Sequence, residues 1–159
     1  MDTKRILTNI SEIDTCDTLL VAGNTLSDRV IVPSRKCLID NSAVGVFDIA
    51  LPSNSTTGGT VQYTIHVTDG TDFQVHSGML VYGGVNKAGT ITSNFGHATA
   101  GSGLELDVNS AGTISDTWSV VNGASKITLT LNANSSLTTP TIWIEYTIYN
   151  NSASSISQL

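Results

Sequence analysis

The chain has 159 residues, 40% of them hydrophobic and only 13% charged, which is about half the charged fraction of an average soluble domain. This length suits a single domain that can hold a core without a disulfide or a metal ion. The net charge of −6 disfavours binding to the phosphate backbone of nucleic acids, and no apolar run reaches the roughly 18–20 residues of a membrane span.

The first 40 residues differ from the rest of the chain, because they hold short apolar islands between dense charges. An isolated segment of this kind cannot bury its own apolar side chains, so it needs a surface to pack on. Two interpretations stay open: extra edge strands on its own domain, or an extended arm that grips a partner. In the second interpretation five cations anchor the arm: Lys4, Arg5, Arg29, Arg35 and Lys36.

Both cysteines of the chain lie in this N-terminal segment. The spacing of Cys16 and Cys37 fits no zinc-binding pattern, and the rest of the chain offers no other thiol. We therefore expect free thiols, although the sequence does not decide whether the two are paired.

The body, residues 41–150, begins with a strand signal at residues 44–51, which Pro52 ends because proline cannot donate to a ladder. Residues 53–60 are rich in turn formers and are predicted to be a loop. Residues 61–82 then show the clearest pattern in the chain, with apolar and polar side chains alternating on either side of a turn. Alternation with a period of two predicts two strands, each with one buried face.

The length of that turn decides which side chains of the second strand point inward, because a one-residue shift reverses the two faces. A three-residue loop at residues 69–71 pairs Val67 with Phe73 and Ile65 with Val75, so that both apolar rows share a face. We therefore predict the three-residue loop, which also places His66 and His76 together on the solvated face.

Short alternating runs separated by turn residues predict the other strands, at residues 89–95, 104–108, 114–120, 126–131 and 141–149. Asn122-Gly123 is a signal for a type I′ hairpin. Residues 96–103 are predicted to be a loop of small residues, and residues 151–159 a flexible tail. About eight strands without a helical pattern predict an all-β protein, an antiparallel β-sandwich or jelly-roll-like body with an extended N-terminal arm.

No group of residues has the pattern of an active site. His66 and His76 could share a metal ion, but no third ligand is evident beside them. Glu105 and Asp107 alternate onto a face predicted to be solvated, where acidic side chains are common without a catalytic role. Asp69 is expected to cap the amides of its turn. We expect no catalytic residue, no metal ion and no cofactor, and we predict that the chain is not an enzyme.

The last strand carries large side chains on both faces. Its isoleucines fill one face, while Trp143 and Tyr149 lie on the other. A tryptophan on the outside of a sheet is usually covered, either by another part of its own chain or by a neighbouring subunit. We select Trp143 and Tyr149 as candidate residues of a subunit interface.

Several strand and turn segments occur together in this chain: FDIALP at residues 47–52, GGT at 58–60, Tyr63, TDGT at 68–71, Gln74, SG at 77–78, VNK at 85–87, ANSSL at 133–137 and IEYTI at 144–148. Together they cover roughly residues 44–150 and resemble a small all-β module of tailed-phage virion proteins. The resemblance implies a non-enzymatic structural domain, commonly a homotrimer, and it supplies no catalytic residues.

Such modules occur in capsid decoration or cement proteins and at fibre tips. Together with the arm, the resemblance leads us to expect a cement protein on the capsid surface of the virion. Its sandwich would trimerise and its arm would bind the major capsid protein. The alternative is the tip of a tail fibre or spike, which would bind a receptor or a cell-surface glycan through loops such as residues 53–59 or 96–103.

Overall fold

The computed structural model describes residues 30–97, 105–150 and 155–159, with side chains described from residue 34 onward. These ranges contain ten β-strands and no helix, and therefore no helix that could cross a membrane. The strands are β1 (Val30–Leu38), β2 (Ser42–Ala50), β3 (Ser55–Thr68), β4 (Phe73–Lys87), β5 (Thr90–His97), β6 (Leu106–Asn109), β7 (Ile114–Asn122), β8 (Lys126–Ser135), β9 (Thr141–Asn150) and β10 (Ile156–Gln158).

Two antiparallel sheets enclose one core, which confirms the predicted all-β sandwich. The larger sheet has the order β1-β9-β3-β4-β5, and the short β6 pairs with the part of β4 that β5 leaves free. The smaller sheet has the order β10-β2-β8-β7.

The core consists of the inward rows that strand alternation predicts. Burying each large aliphatic side chain contributes about 1.5–3 kcal/mol relative to leaving it in water. The completely buried members come from both sheets: Phe47, Ile49, Ile65, Leu80, Ile127, Leu129, Leu131, Ile142, Ile144 and Ile148.

The hairpin between β3 and β4 has the opposite register from the predicted one. Its loop holds four residues, so that Ile65 lies opposite His76 and Val67 opposite Gln74. Asp69 Oδ1 accepts hydrogen bonds of 2.9 Å from the backbone N–H groups of both Thr71 and Asp72. The expected capping role of Asp69 is therefore confirmed, but the cap includes Asp72 in the loop, and the predicted three-residue loop is wrong.

The even-numbered loop places polar side chains of β4 inside the sandwich. Gln74 is buried, yet its Nε2 donates to the carbonyl of Ala111 at 2.8 Å and its Oε1 accepts from Ser135 Oγ at 2.7 Å. Because both ends of the amide are paired, its burial leaves no unsatisfied polar group.

Part of the predicted N-terminal arm lies on the body. Residues 30–38 form β1, which pairs along its whole length with β9 and so adds an edge strand to the larger sheet. Cys37 within β1 is disulfide-bonded, so the expectation of a free thiol is wrong for this residue. Residues 1–29, with Cys16, Lys4, Arg5 and Arg29, lie outside the described residues.

The predicted C-terminal tail also contains a strand. Residues 156–158 form β10, which pairs with β2, and Ile156 packs against the core. The Cδ1 atom of Leu159 occupies the space above Gly45. The expectation of a flexible tail is therefore corrected at these residues, because their apolar side chains find a buried surface.

Three connections differ from the predicted ones. β3 begins at Ser55, so residues 55–60 of the predicted loop are strand. β4 continues to Lys87 and turns at Ala88 and Gly89, which both have positive φ. The turn after β7 is closed by a bond from Gly123 N to Lys126 O, and neither Asn122 nor Gly123 has the positive φ that the predicted type I′ turn requires.

The close approach of β3 to β9 requires glycine at position 59. A Cβ atom there would lie 2.3 Å from Tyr149 O and 2.7 Å from Tyr82 Oη. We expect Gly59→Ala to lower the free energy of unfolding by about 2 kcal/mol, because the backbone of β9 cannot move aside without disturbing its ladders.

The matched control is Gly83→Ala on β4, where the nearest heavy atom to an added Cβ is 3.8 Å away. This variant should change stability by less than about 0.5 kcal/mol. Urea unfolding followed by tryptophan fluorescence measures both. Equal losses in the two variants would contradict the explanation.

Candidate functional site

A group of titratable side chains, together with one tryptophan, lies next to the place where β5 and β6 meet β4, most of it between the sheets. We call it the interior cluster. β4 contributes His76, which is 3% exposed and which the even-numbered loop turns inward. The members are Tyr63, His76, His97, Glu105, Asp107, Asp116 and Trp118.

Gly78 makes room for Tyr63 at the edge of the cluster. A Cβ atom at Gly78 would lie 2.4 Å from the Tyr63 hydroxyl oxygen. Without one, the phenol reaches across the strand to the carboxyl of Asp116 on β7. The local sequence of β4 therefore positions two members of the cluster, His76 directly and Tyr63 through the missing side chain.

Asp116 lies at the centre of the cluster. Its Oδ2 accepts hydrogen bonds from Tyr63 Oη at 2.6 Å and from Trp118 Nε1 at 3.0 Å. Its Oδ1 lies 3.3 Å from His76 Nε2. The other ring nitrogen of His76, Nδ1, is 2.5 Å from Asp107 Oδ1. The imidazole of His76 is thus held between two carboxylates.

His97 connects the remaining members. Its Nε2 lies 2.6 Å from Tyr63 Oη, 3.2 Å from Glu105 Oε1 and 3.4 Å from Asp116 Oδ2. The Glu105 side chain is mostly covered, whereas that of Asp107 is half exposed. Three carboxyl groups therefore face two imidazoles, and two of the three, those of Glu105 and Asp116, are mostly shielded from water.

These contacts shift the titration of the cluster. Burial lowers the pKa of His76, but the neighbouring carboxylates of Asp116 and Asp107 outweigh it and raise the pKa to about 9. Burial raises the pKa of Asp116, but its contacts with His76 and Tyr63 hold that pKa below its usual range. Burial and the Asp116 charge raise the pKa of the Tyr63 phenol. At neutral pH His76 is therefore an imidazolium between carboxylates, and Tyr63 is a neutral donor.

The predicted pair of His66 and His76 is wrong, since the two histidines lie on opposite faces of the sheet. His66 is on the outer face, where its ring stacks on Trp143. Glu105 and Asp107 do not share the solvated face that was predicted for them. Both contact the interior cluster, because β6 pairs with β4 so that Leu106 and Val108 point outward. Glu105 is mostly covered, whereas Asp107 remains about half exposed to solvent.

The signal that could have revealed the cluster is the even-numbered alternative for the hairpin loop. That register puts His76 and Gln74 inside, and a buried histidine then requires partners. His76 and Asp116 are 40 residues apart in the sequence, and no local pattern links them.

The candidate interface residues Trp143 and Tyr149 lie on the outer face of the larger sheet. The Arg35 guanidinium is 5.0 Å from the centre of the Trp143 ring, and the His66 ring stacks on Trp143 at 5.2 Å. Trp143 is therefore contacted by its own chain, while Tyr149 is exposed. Lys36 donates to the backbone carbonyl of Leu159. The anchoring role of Arg35 and Lys36 and the interface role of Trp143 and Tyr149 remain predictions.

A second feature is an apolar strip on the outside of the larger sheet. The even-numbered loop that turns His76 inward turns the apolar side chains of β4 outward, and β6 extends the strip. We call it the outer apolar face, and its residues are Phe73, Val75, Met79, Val81, Val85, Leu106 and Val108. Five of the seven are among the exposed large hydrophobic residues of the described chain.

No family model and no curated protein sequence matches the chain. Among solved structures, it is similar to the tailspike protein of Acinetobacter baumannii phage AM24, with 13% identity and a TM-score of 0.44 over 82% of this chain and 28% of that one. It is also similar to a tailspike protein of Acinetobacter baumannii bacteriophage Fri1, with 13% identity and a TM-score of 0.40 over 90% of this chain and 21% of that one. The chain thus spans less than a third of the length of either protein.

Both neighbours are tailspike proteins of bacteriophages, and so they belong to the broad kind of protein that the sequence resemblance indicates. The Fri1 protein is described as a capsular polysaccharide depolymerase, which is an enzyme. This finding contradicts the sequence-based prediction that the chain is not an enzyme. The depolymerase activity is stated for the Fri1 protein and not for this chain.

We expect the free energy of unfolding to fall as the pH rises from about 6.5 to above 9. The folded-state pKa of His76 is about 9 against the ordinary 6.5, so its stabilising charge is fully present below the ordinary pKa and is lost as the pH rises through 9. That difference corresponds to at most about 3 kcal/mol. The groups facing His76 are Asp107, Asp116 and, farther away, Glu105.

Urea unfolding at a series of pH values, in the presence of a chelator, measures this loss. The variant His76→Gln should show a much flatter profile over the same range. His66→Gln, on the outer face, should keep the profile of the unmodified chain. A decline of the same size in His76→Gln would assign the pH dependence to another group.

Proposed function

We propose that this chain is a β-sandwich domain of a tailed-phage virion protein and that it associates with copies of itself through the outer apolar face. The observation that carries the proposal is this face, seven apolar residues on one side of a sheet in a chain with few charges. Contiguous exposed apolar surface of this kind marks interaction sites in soluble proteins.

The charges around the outer apolar face favour a second copy as its occupant. Two copies of a chain with a net charge of −6 repel each other wherever their acidic groups meet. Several outward side chains of β3 and β5 that flank the face are uncharged, among them Gln62, Thr64, Thr92 and Asn94. A partner copy can therefore cover this part of the face without burying a carboxylate.

The smaller sheet offers no comparable surface among the described residues. The outward residues of β8 are mostly threonine and asparagine, with Lys126 at one end. Those of β7 include serine and threonine, with Val121 as an isolated apolar residue. The outer apolar face is therefore preferred to this sheet, and it is also preferred to the surface around Trp143, which Arg35 and His66 already contact.

We place the domain in a tail spike or fibre rather than in a capsid decoration protein. The capsid hypothesis depended on an arm of residues 1–40 that grips the major capsid protein. Two of its five anchoring cations, Arg35 and Lys36, lie in β1 and are engaged with Trp143 and Leu159 of the same chain. Residues 30–38 thus contribute to the sandwich itself. A cell-surface glycan is the partner class expected at such a location.

Self-association should depend on the outer apolar face and not on apolar exposure in general. Val81 on this face is 49% exposed, and Val121 on the smaller sheet is 53% exposed. We expect Val81→Lys to weaken association at least tenfold, because each contact would bury an unpaired ammonium group. Val121→Lys should leave association unchanged.

Light scattering and sedimentation velocity at micromolar concentrations measure the mass of the unmodified chain and of both variants. A homotrimer is the expected state. A monomeric unmodified chain, or equal weakening by the two variants, would contradict the proposal.

Immunogold labelling of particles of a phage that encodes the chain tests its location. We expect gold at the tail. Labelling over the capsid surface would instead support the decoration role and the hypothesis that residues 1–29 are an anchoring arm. The double variant Lys4→Glu with Arg5→Glu would then be compared with Lys87→Glu on the body for loss of labelling.

A further inference from the structure

We propose that the interior cluster binds a divalent transition metal ion, with His76 Nε2 and one oxygen each from Asp116 and Glu105 as the protein ligands. These three ligand atoms lie within 4.8 Å of one another. One imidazole with two carboxylates suits Zn²⁺ or Mn²⁺, which accept mixed nitrogen and oxygen ligands. This inference stands apart from the self-association proposal, because none of its three ligands belongs to the outer apolar face.

His76 is almost completely buried, and its Nε2 makes no hydrogen bond within the described part of the chain. Asp116 Oδ1 lies 3.3 Å from this nitrogen. A metal ion held between the two atoms would replace the proton that Nε2 carries at neutral pH, because a histidine ligand binds a metal in its neutral form. A buried polar nitrogen without a hydrogen bond is uncommon and points to a further partner.

The spacing of two ligand atoms, His76 Nε2 and Asp116 Oδ1, also fits a metal ion. Two ligands on one tetrahedral zinc ion, each about 2.0 Å from the metal, lie about 3.3 Å apart. The distance between His76 Nε2 and Asp116 Oδ1 is 3.3 Å. The pair therefore needs little movement to bind the ion, and the flexible side chain of Glu105 can supply the third ligand.

Neighbouring groups hold His76 and Asp116 in place as ligands. A metal-binding histidine usually donates its other N–H to a carboxylate, which fixes the tautomer and directs the free lone pair toward the metal. His76 Nδ1 has this partner in Asp107 Oδ1 at 2.5 Å. Asp116 is oriented in the same way, because Tyr63 and Trp118 both donate to Oδ2 and leave Oδ1 toward His76.

The negative charge of the interior cluster and its access to solvent are both compatible with the binding of a cation. The carboxyl groups of Glu105 and Asp116 are mostly buried. Buried carboxylates are costly without a positive partner, so the two favour a cation between them. A depression of about 400 Å³ is lined by Tyr63, Gly78 and Glu105, together with Met79 and Leu106 of the outer apolar face. It provides a route from solvent to the third ligand.

The test is isothermal titration calorimetry. A chelator first removes any bound metal from the full chain, and zinc chloride alone is then titrated into it. We expect one ion per chain and a higher melting temperature when zinc is present. Mg²⁺ and Ca²⁺ should bind at least tenfold more weakly, because they prefer sites made of oxygen ligands alone. A cobalt titration adds a spectroscopic readout, since a four-coordinate Co²⁺ ion gives visible absorption bands.

Matched variants separate this site from adventitious binding. Glu105→Gln keeps the size of the side chain and should weaken zinc binding at least tenfold, as should Asp116→Asn. Asp107→Asn tests the positioning role and should cost about 10- to 100-fold in affinity. The controls are His66→Gln and Glu145→Gln, a partly buried histidine and an exposed carboxylate on the outer face, where His66 Nε2 and Glu145 Oε2 are 3.7 Å apart.

Both controls should bind zinc as tightly as the unmodified chain, and far-ultraviolet circular dichroism should show that all variants keep their sheet content. The proposal is overturned if the folded, stripped chain takes up no zinc at millimolar concentration. It is also overturned if the loss caused by Glu105→Gln is matched by Glu145→Gln.

Discussion

The structure depends on one short turn. Asp69 accepts two backbone hydrogen bonds within the loop between β3 and β4, and the loop therefore contains four residues instead of three. In a hairpin this parity decides which face of the second strand is buried. β4 thus presents Gln74, His76, Leu80 and Tyr82 to the interior, and its valines to the outside.

The inward row of β4 imposes a requirement on distant parts of the chain. A buried amide and a buried imidazole are tolerated only when other groups satisfy them. Ala111 and Ser135 satisfy Gln74, while Asp107 and Asp116 surround His76. The polar partners that make this register stable therefore come from β6, from the connection between β6 and β7, and from strands β7 and β8.

Most outward side chains of β4 have the opposite character, since they are apolar and exposed or partly exposed to solvent. Side chains such as Val81 and Val85 would be expected in the core of an ordinary sandwich, but here they are among the most exposed apolar residues. β6 repeats the pattern, since Asp107 turns inward to His76 while Leu106 and Val108 turn outward. One register thus creates both the interior cluster and the outer apolar face, and substitutions on the two faces can be made independently.

The sequence by itself determined the fold class and the existence of most strands, because period-two alternation is a local property that Val61, Tyr63 and Ile65 already display. It could not determine the inward face of β4, since Val75 and His76 are equally compatible with the alternation. That choice was decided by tertiary contacts with Asp107 and Asp116, which lie 31 and 40 residues further along the chain. The interior cluster could not be predicted for the same reason: its members become neighbours only after the register has been set and the second sheet has packed against the first.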